Sequence, residues 1–226
     1  MREKTDSTIL IFDFDSTIVT IEALDELATI ALADAPDKNS RVAAIRDITE
    51  RGMNGELGFS ESLALRFEQI MPTKQHLAEL ILLLRKSISP SFLEHQSFIR
   101  ENAENIWVVS GGFSDFIVPI VSELGIKPSH VLANEFIWNG ETATSYDHDN
   151  PLSKSGGKIA AIQRLSFPSS REIIMVGDGL TDYSVRGVGL ADKFIAYIET
   201  IEREPTVAVA DVVARSFGDV LNVIEM

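Results

Sequence analysis

The chain has 226 residues, 34 acidic and 20 basic side chains, a formal net charge of −14 and no cysteine. Its 45% hydrophobic and 24% charged residues are typical of a globular protein and exclude a disordered or collagen-like chain. The negative charge argues against nucleic-acid and membrane-surface partners, because it repels phosphate backbones and anionic lipids. The absence of cysteine excludes disulfides and thiolate metal sites and fits a reducing, cytoplasmic location. No uncharged apolar stretch reaches the ~20 residues that span a bilayer, so we expect a soluble protein.

Three continuous apolar runs predict buried parallel strands, at residues 8–12, 106–109 and 173–176. Continuous apolarity, rather than alternation, is typical of strands covered on both faces. Weaker strand candidates and segments with helical periodicity alternate with these runs. The weaker strands are residues 130–133, 194–198 and 211–214, and the helical segments are residues 90–104, 115–124, 158–165 and 217–224. This alternation predicts an α/β fold with a doubly wound, Rossmann-like parallel sheet.

Two segments interrupt the alternation. Residues 136–146 predict a β-hairpin closed by a two-residue Asn139-Gly140 turn. Residues 20–85 contain only helical patterns, which predict a small helical cap inserted after the first strand. We therefore expect a discontinuous α/β core of residues 1–19 and 86–226, and a cap subdomain of residues 20–85.

Acidic residues follow two of the three strong strands. Asp13 and Asp15 come directly after the first, and Asp178 and Asp182 follow the third. Ligands of open α/β sheets collect beyond the carboxyl ends of the strands, where one carboxylate can attack an electrophile while a second transfers protons. Converging carboxylates and carbonyl oxygens favour Mg²⁺, with Asp13, Asp178 and the main-chain carbonyl of Asp15 as ligands. Taken singly, each motif could instead be a polar strand end, a turn or a helix cap.

Small and basic residues at the same edge predict a phosphate site. Ser110, Gly111 and Gly112 offer a hydroxyl and unobstructed backbone N–H groups at a strand-to-helix junction. Lys158 follows another Gly-Gly pair at the start of a helical pattern, so its ammonium can meet the same phosphate. Alone, these residues could equally be a tight turn and a solvated surface lysine.

Together, these motifs resemble the haloacid-dehalogenase superfamily of aspartate-nucleophile phosphatases and, within it, the phosphoserine phosphatases. The matching segments are Asp13-Phe-Asp-Ser-Thr17, Ser110-Gly-Gly112, Lys158 and Gly177-Asp-Gly-Leu-Thr-Asp182. The resemblance implies that Asp13 is the nucleophile, that Asp15 is the acid/base, and that Mg²⁺ binds at Asp178. It also implies a supporting role for Asp182. Thr181 stands where many members have asparagine, so we expect a hydroxyl contact to phosphate there.

The resemblance extends to the predicted cap and implies a substrate with both charges of an amino acid. Glu22 matches a glutamate that contacts the substrate ammonium, and Arg66 matches an arginine that receives its carboxylate. Met53 and Phe59 match apolar walls, which strengthen both interactions by excluding water. From the residues alone, Arg66 could only snorkel, Phe59 could precede a helix cap and Glu22 could be a first-turn acid.

The expected function is Mg²⁺-dependent hydrolysis of O-phospho-L-serine to L-serine and phosphate through an aspartyl-phosphate, a step of serine biosynthesis, by a monomer or homodimer. One alternative is a phosphatase for another small phosphomonoester, such as phosphothreonine. The more distant alternative is a non-catalytic module resembling a receiver domain, which also gathers Asp, a hydroxyl residue and Lys around Mg²⁺. A receiver is shorter and needs no helical cap.

Overall fold

The computed structural model describes residues 8–53 and 56–225. Residues 1–7 of the predicted core therefore lie outside the described part. The strands are β1 (Thr8–Phe12), β2 (Ile106–Phe113), β3 (Val131–Asn134), β4 (Phe136–Asn139), β5 (Thr142–Tyr146), β6 (Glu172–Gly177), β7 (Lys193–Tyr197) and β8 (Val212–Ala214).

Helices occupy most of the remaining chain. They are α1 (Ala23–Ala31), α2 (Lys38–Met53), α3 (Phe59–Gln69), α4 (Lys74–Lys86), α5 (Pro90–Glu94), α6 (Gln96–Glu101), α7 (Ser114–Leu124), α8 (Gly157–Ile162), α9 (Leu180–Gly187), α10 (Glu204–Val207) and α11 (Phe217–Glu225). Within the described ranges, no helix has the length and apolar character needed to cross a membrane.

Six strands form one parallel sheet in the order β3-β2-β1-β6-β7-β8, and β4 and β5 form a separate antiparallel pair. The strand β1 lies inside the sheet, where Leu10 pairs with Ile106 of β2 on one side and Ile174 of β6 on the other. The chain crosses from one half of the sheet to the other around β1. The predicted doubly wound α/β sheet is confirmed.

Both faces of the sheet are buried, because successive residues of a strand point to opposite sides. Leu10 and Phe12 belong to a large apolar cluster that includes residues of α7, α11 and the four helices after β1. Ile9 and Ile11 belong to a second cluster, with residues of α8 and α9. This two-sided burial explains why residues 9–12 of the strand are all apolar.

The four helices α1 to α4 fill the segment between β1 and α5, as the helical patterns predict. The two connections to the core run side by side, with an isolated antiparallel bridge between Val19 and Ile88. The N–H of Thr20 donates to the carbonyl of Ser87 at 2.8 Å. A second bridge joins Thr73 to Thr142 of the hairpin. The helical segment therefore also contacts the rest of the chain away from its two connections.

Three local predictions need correction. The strand β2 does not end at Val109 but continues to Phe113, with a register shift against β3. The predicted helix over residues 90–104 is two short helices, α5 and α6, which meet at His95. The hairpin turn lies one residue later than predicted, because Asn139 pairs with Thr142 and the two-residue loop is Gly140-Glu141. Gly140 has a φ of 61°, a left-handed conformation that glycine adopts readily.

Candidate active site

The predicted acids meet at one edge of the sheet because β1 and β6 are neighbours. Phe12 pairs with Val176, and the N–H of Asp13 donates to the carbonyl of Val176 at 2.9 Å. Asp178 follows one residue after the end of β6. The parallel pairing therefore brings together two residues that are 165 positions apart in the sequence.

Asp13, Asp178 and Asp182 form an acidic cluster in which one carboxylate oxygen from each lies within 4.8 Å of the others. Asp178 and Asp182 are buried, and Asp13 is partly exposed. Burial and the neighbouring Asp13 charge raise the pKa of Asp178. A bound cation relieves this repulsion, and three hard oxygen donors suit Mg²⁺. The residues present therefore fit a magnesium ion.

Lys158, in the first turn of α8, contacts two members of this cluster. Its Nζ lies 2.9 Å from Asp13 Oδ1 and 2.5 Å from Asp182 Oδ1. Burial opposes the charge of Lys158, but the two carboxylates outweigh it and raise the pKa of the ammonium. The surroundings of Lys158 therefore favour a buried ammonium beside Asp13.

Asp182 is held from two sides, by Lys158 and by Gly179, and its supporting role stays a prediction. Its Oδ2 accepts a hydrogen bond of 3.1 Å from the N–H of Gly179. A Cβ at position 177 would lie 2.3 Å from Asp182 Oδ2 and Cγ, so only glycine allows the strand to approach this side chain. The glycines of the Gly177-Asp178-Gly179 motif thus make room for Asp182 and contribute an N–H to it.

Asp15 lies on the turn that leads from β1 toward α1. Ser16 has a φ of 53°, and the N–H of Ile18 donates to the carbonyl of Phe14 at 2.9 Å. This turn sends the Asp15 side chain to the N-terminus of α1, where Oδ1 accepts a hydrogen bond of 2.8 Å from Ala23. Burial and the nearby Glu22 charge raise the pKa of Asp15 well above its usual range. A carboxyl that keeps its proton is suited to act as a general acid.

Glu22 lies just before α1 and faces the same space. Its Oε1 accepts a hydrogen bond of 2.8 Å from the Ser16 hydroxyl. Burial and the Asp178 charge raise the pKa of Glu22 to about 7. Its position beside the acids agrees with the expected site for a substrate ammonium, although that role stays a prediction.

The Ser110-Gly111-Gly112 segment lies within the irregular end of β2. The Ser110 hydroxyl accepts a hydrogen bond of 2.9 Å from the N–H of Gly112, so this amide already has a partner within the chain. A Cβ at position 111 would lie 2.6 Å from Cζ of Phe59. The missing side chain at Gly111 therefore allows Phe59, the first residue of α3, to pack against the predicted phosphate segment.

Two further predicted residues, Thr181 and Met53, lie in different surroundings. Thr181 lies in the first turn of α9 and lines a small cavity together with Phe59, Gly111 and Lys158. Met53 ends α2 with an exposed side chain, so its role as an apolar wall stays a prediction.

Arg66 is buried in α3, where its Nη1 lies 3.8 Å from Asp25 Oδ1 and 3.3 Å from Thr49 Oγ1. Burial raises the pKa values of Asp15 and Glu22, and the Arg66 charge partly offsets both shifts, so the guanidinium lies within electrostatic reach of the predicted site.

The structure brings to this region three further residues that the sequence motifs do not predict. Arg203 Nε lies 2.8 Å from Asp178 Oδ2, and its Nη2 lies 3.8 Å from Glu22 Oε1. Asn134 Nδ2 donates to the carbonyl of Gly111 at 2.8 Å, and Asp25 pairs with Arg66. Asn134 ends the parallel strand β3, and Arg203 follows the parallel strand β7. Ligand sites of α/β sheets lie beyond the carboxyl ends of the strands, so this position is the signal that could have identified both residues. No such signal marks Asp25.

A family model for haloacid dehalogenase-like hydrolases matches residues 8–185 of the chain. The chain belongs to the haloacid dehalogenase-like hydrolases. The match begins at β1 and ends within α9, and it therefore includes Asp13, Lys158 and Asp178.

Curated relatives of this haloacid dehalogenase-like hydrolase are phosphoserine phosphatases. The Arabidopsis thaliana chloroplastic phosphoserine phosphatase is 33% identical over 213 residues, which cover 93% of this chain and 70% of the relative. The human phosphoserine phosphatase is 32% identical over 196 residues, which cover 85% of this chain and 82% of the relative.

Solved structures with similar folds also carry phosphoserine phosphatase or phosphohydrolase names. A phosphoserine phosphohydrolase-like protein from Francisella tularensis superposes with a TM-score of 0.84 at 32% identity, covering 96% of this chain and 99% of the other. A substrate-bound phosphoserine phosphatase shares the fold with a TM-score of 0.76 at 23% identity, covering 96% of this chain and 98% of the other.

Proposed function

We propose that this hydrolase is a phosphatase that converts O-phospho-L-serine and water to L-serine and inorganic phosphate. The observation that carries the proposal is the geometry around Asp13, whose Oδ1 lies 2.9 Å from the buried Lys158 ammonium. This pair places a carboxylate nucleophile beside a cation that binds a phosphoryl oxygen. The named activity of the curated relatives supports the same reaction.

In the first half-reaction, an Asp13 carboxylate oxygen attacks phosphorus and forms an aspartyl-phosphate, while the bond from phosphorus to the serine oxygen breaks. Asp15 donates its proton to the departing serine oxygen. The raised pKa of Asp15 supports this role, because the carboxyl must hold a proton when substrate binds.

In the second half-reaction, the deprotonated Asp15 accepts a proton from a water molecule, whose oxygen attacks the phosphorus of the aspartyl-phosphate. The bond between phosphorus and the Asp13 oxygen breaks, which releases phosphate and restores the carboxylate. Asp15 regains its proton in this step, so the catalyst is unchanged after one cycle.

Cations offset the charge of the phosphoryl group in a chain with a formal net charge of −14. Lys158 supplies one positive charge, and the Ser110 hydroxyl and the Gly111 amide are the proposed donors to phosphoryl oxygens. Asp13, Asp178 and the main-chain carbonyl of Asp15 are the proposed ligands of Mg²⁺. When bound, Mg²⁺ neutralises phosphoryl charge as a Lewis acid.

Glu22 and Arg66 are the proposed selectivity residues, because they carry opposite charges and belong to the helical segment after β1. Glu22 directly precedes α1, and Arg66 lies on α3. A carboxylate at position 22 attracts an ammonium, and a guanidinium at position 66 binds a carboxylate with two parallel hydrogen bonds. Phe59 and Met53 are the proposed apolar walls. O-phospho-L-serine carries the matching ammonium, carboxylate and phosphate on one small molecule.

The test is phosphate release from O-phospho-L-serine, O-phospho-L-threonine and p-nitrophenyl phosphate, each with Mg²⁺ and with excess chelator. We expect metal-dependent turnover and the highest kcat/KM for O-phospho-L-serine. Equal or better use of O-phospho-L-threonine would favour a phosphatase for another small phosphomonoester and would overturn the proposed assignment of O-phospho-L-serine as the substrate. A stable phospho-aspartate without turnover would favour the receiver-like alternative and would overturn the proposed phosphatase activity.

A further inference from the structure

Arg66 belongs to a buried polar cluster that joins three of the four helices after β1. Asp25 lies on α1, Thr49 on α2 and Arg66 on α3, with exposed fractions of 6%, 7% and 8%. The Thr49 hydroxyl donates to Asp25 Oδ1 at 2.6 Å and accepts from Arg66 Nη1 at 3.3 Å. Arg66 Nη1 also lies 3.8 Å from Asp25 Oδ1.

The cluster engages two of the three nitrogens of the guanidinium. Arg66 Nε donates to the carbonyl of Ser62 at 3.3 Å, and Nη1 faces Thr49 and Asp25. Within residues 8–53 and 56–225, no hydrogen bond or ion pair involves Arg66 Nη2. A guanidinium presents five N–H donors in a rigid plane, so fixing two of its nitrogens also fixes the direction of the remaining donors.

The free donors are directed by groups that have no contact with the predicted phosphate site. Among residues 8–53 and 56–225, the side chains of Asp25 and Thr49 form no hydrogen bond or ion pair with Asp13 or Lys158. The Arg66 charge acts on Asp15 and Glu22, and the Asp25 charge also acts on Glu22. Arginine is a long side chain with several rotatable bonds, and holding it in one orientation before substrate arrives removes an ordering cost from binding.

We propose that Asp25, assisted by the Thr49 hydroxyl, is a positioning residue that orients Arg66 toward the substrate carboxylate and thereby sets selectivity for phosphate esters of amino acids. This inference rests on the proposed function. Asp25 touches no reacting atom. Its effect on the substrate carboxylate passes through Arg66, and its charge separately contributes to the raised pKa of Glu22.

The proposal distinguishes two classes of substrate. O-phospho-L-serine carries the carboxylate that Arg66 is proposed to bind. O-phosphoethanolamine has the same phosphate and ammonium without the carboxylate, and p-nitrophenyl phosphate lacks both charged groups. A residue that acts through Arg66 affects only the first compound, whereas a residue that merely stabilises the fold affects all three.

The main variant is Asp25→Asn, which keeps the size of the side chain and removes its charge. We expect its KM for O-phospho-L-serine to rise about tenfold or more with a smaller change in kcat, since outer partners of binding groups typically have effects of this order. We expect kcat/KM for p-nitrophenyl phosphate to change less than about twofold. We expect kcat/KM for O-phosphoethanolamine not to fall, because the lost Asp25 charge had opposed the ionisation of Glu22. In an Arg66→Ala background, Asp25→Asn should cause no additional loss.

The matched control is Glu26→Gln, which removes the next carboxylate on α1. Glu26 pairs with Arg46 at 3.3 Å on the surface, and the variant should leave all three substrates unchanged. Thr49→Val and Thr49→Ser provide a second route if Asp25→Asn folds poorly. Thr49→Val should raise the KM for O-phospho-L-serine alone, and Thr49→Ser, which retains the hydroxyl, should restore it.

Equal losses on all three substrates, or a loss that persists in the Arg66→Ala background, would overturn the positioning role. A wild-type enzyme that uses O-phosphoethanolamine as well as O-phospho-L-serine would instead overturn the proposed substrate. The two failures are therefore distinguishable in one set of assays.

Discussion

Arg203 Nε donates to Asp178 Oδ2 at 2.8 Å, so an arginine from the segment after β7 lies against an acid that we propose as a metal ligand. The same guanidinium lies 3.8 Å from Glu22, the proposed contact for the substrate ammonium. The Arg203 guanidinium thus partly compensates the charges of two acids. In the proposed complex, Asp178 binds the metal and Glu22 binds the substrate ammonium.

The Arg203 interaction predicts that metal-free protein depends on this arginine for stability. Arg203→Ala should lower the free energy of unfolding in chelator by about 1–3 kcal/mol, because it leaves a buried carboxylate without its cation. Added Mg²⁺ should raise the Tm of the variant more than that of the wild type. Thermal unfolding with and without Mg²⁺ measures both effects.

The control for Arg203 is Arg186→Ala. Arg186 Nε lies 3.0 Å from Asp211 Oδ2, and both side chains are more than a third exposed. A solvent-exposed pair contributes about 0–1 kcal/mol, so this variant should lose little stability and show the wild-type response to Mg²⁺. Identical behaviour of the two variants would contradict the compensating role of Arg203.

Asp13→Asn should lower kcat at least ~10³-fold, because it removes the nucleophile. Binding of O-phospho-L-serine should be largely retained, since Lys158 keeps Asp182 as a partner at 2.5 Å. Steady-state kinetics and calorimetric titration of the variant measure the two quantities. Near-normal turnover would refute the assignment of the nucleophile.

Arg66→Ala should reduce transition-state stabilisation for O-phospho-L-serine by roughly 2–5 kcal/mol and leave p-nitrophenyl phosphate nearly unaffected. The variant also leaves Asp25 without its cation, so some loss of stability is expected. The ratio of kcat/KM for the two substrates cancels any change in the folded fraction. An unchanged ratio would mean that Arg66 is structural.

Asp182→Asn should lower kcat/KM for both O-phospho-L-serine and p-nitrophenyl phosphate by a similar factor, on the order of 10- to 100-fold. The reason is that Asp182 positions Lys158, which we propose to contact the phosphate common to both substrates. Parallel kinetics on the two substrates provide the measurement. A loss confined to O-phospho-L-serine would place Lys158 in amino-acid recognition instead.

The raised pKa of Glu22 predicts a pH dependence of stability in chelator. Its pKa rises from the ordinary 4.5 to about 7 in the folded chain, so the native state holds this proton more tightly than the unfolded state does. Its contribution therefore lowers stability as pH increases from about 4.5 to about 7.

Glu22→Gln removes this dependence. The free energy of unfolding of the variant minus that of the wild type should grow by about 2–3 kcal/mol between pH 4.5 and pH 7. Denaturant unfolding at several pH values measures it, with Glu50→Gln as the control for an exposed carboxylate. A difference that is independent of pH would contradict the shift.

The sequence by itself determined the fold class and the order of the main elements. Continuous apolar runs predict the buried strands β1, β2 and β6, because a strand covered on both faces is apolar along most of its length. The acids and glycines at their ends predict the edge where Asp13 and Asp178 meet. These patterns are local, and parallel strand pairing turns them into proximity in space.

Only the tertiary structure decided which partner each charged side chain takes. Asp25, Thr49 and Arg66 lie on three separate helices, and no sequence periodicity relates their positions. Arg203 reaches Asp178 from another loop, across 25 residues. Long-range ion pairs depend on how helices and loops pack, because the energy of a charge depends on burial and on neighbours brought together only by folding.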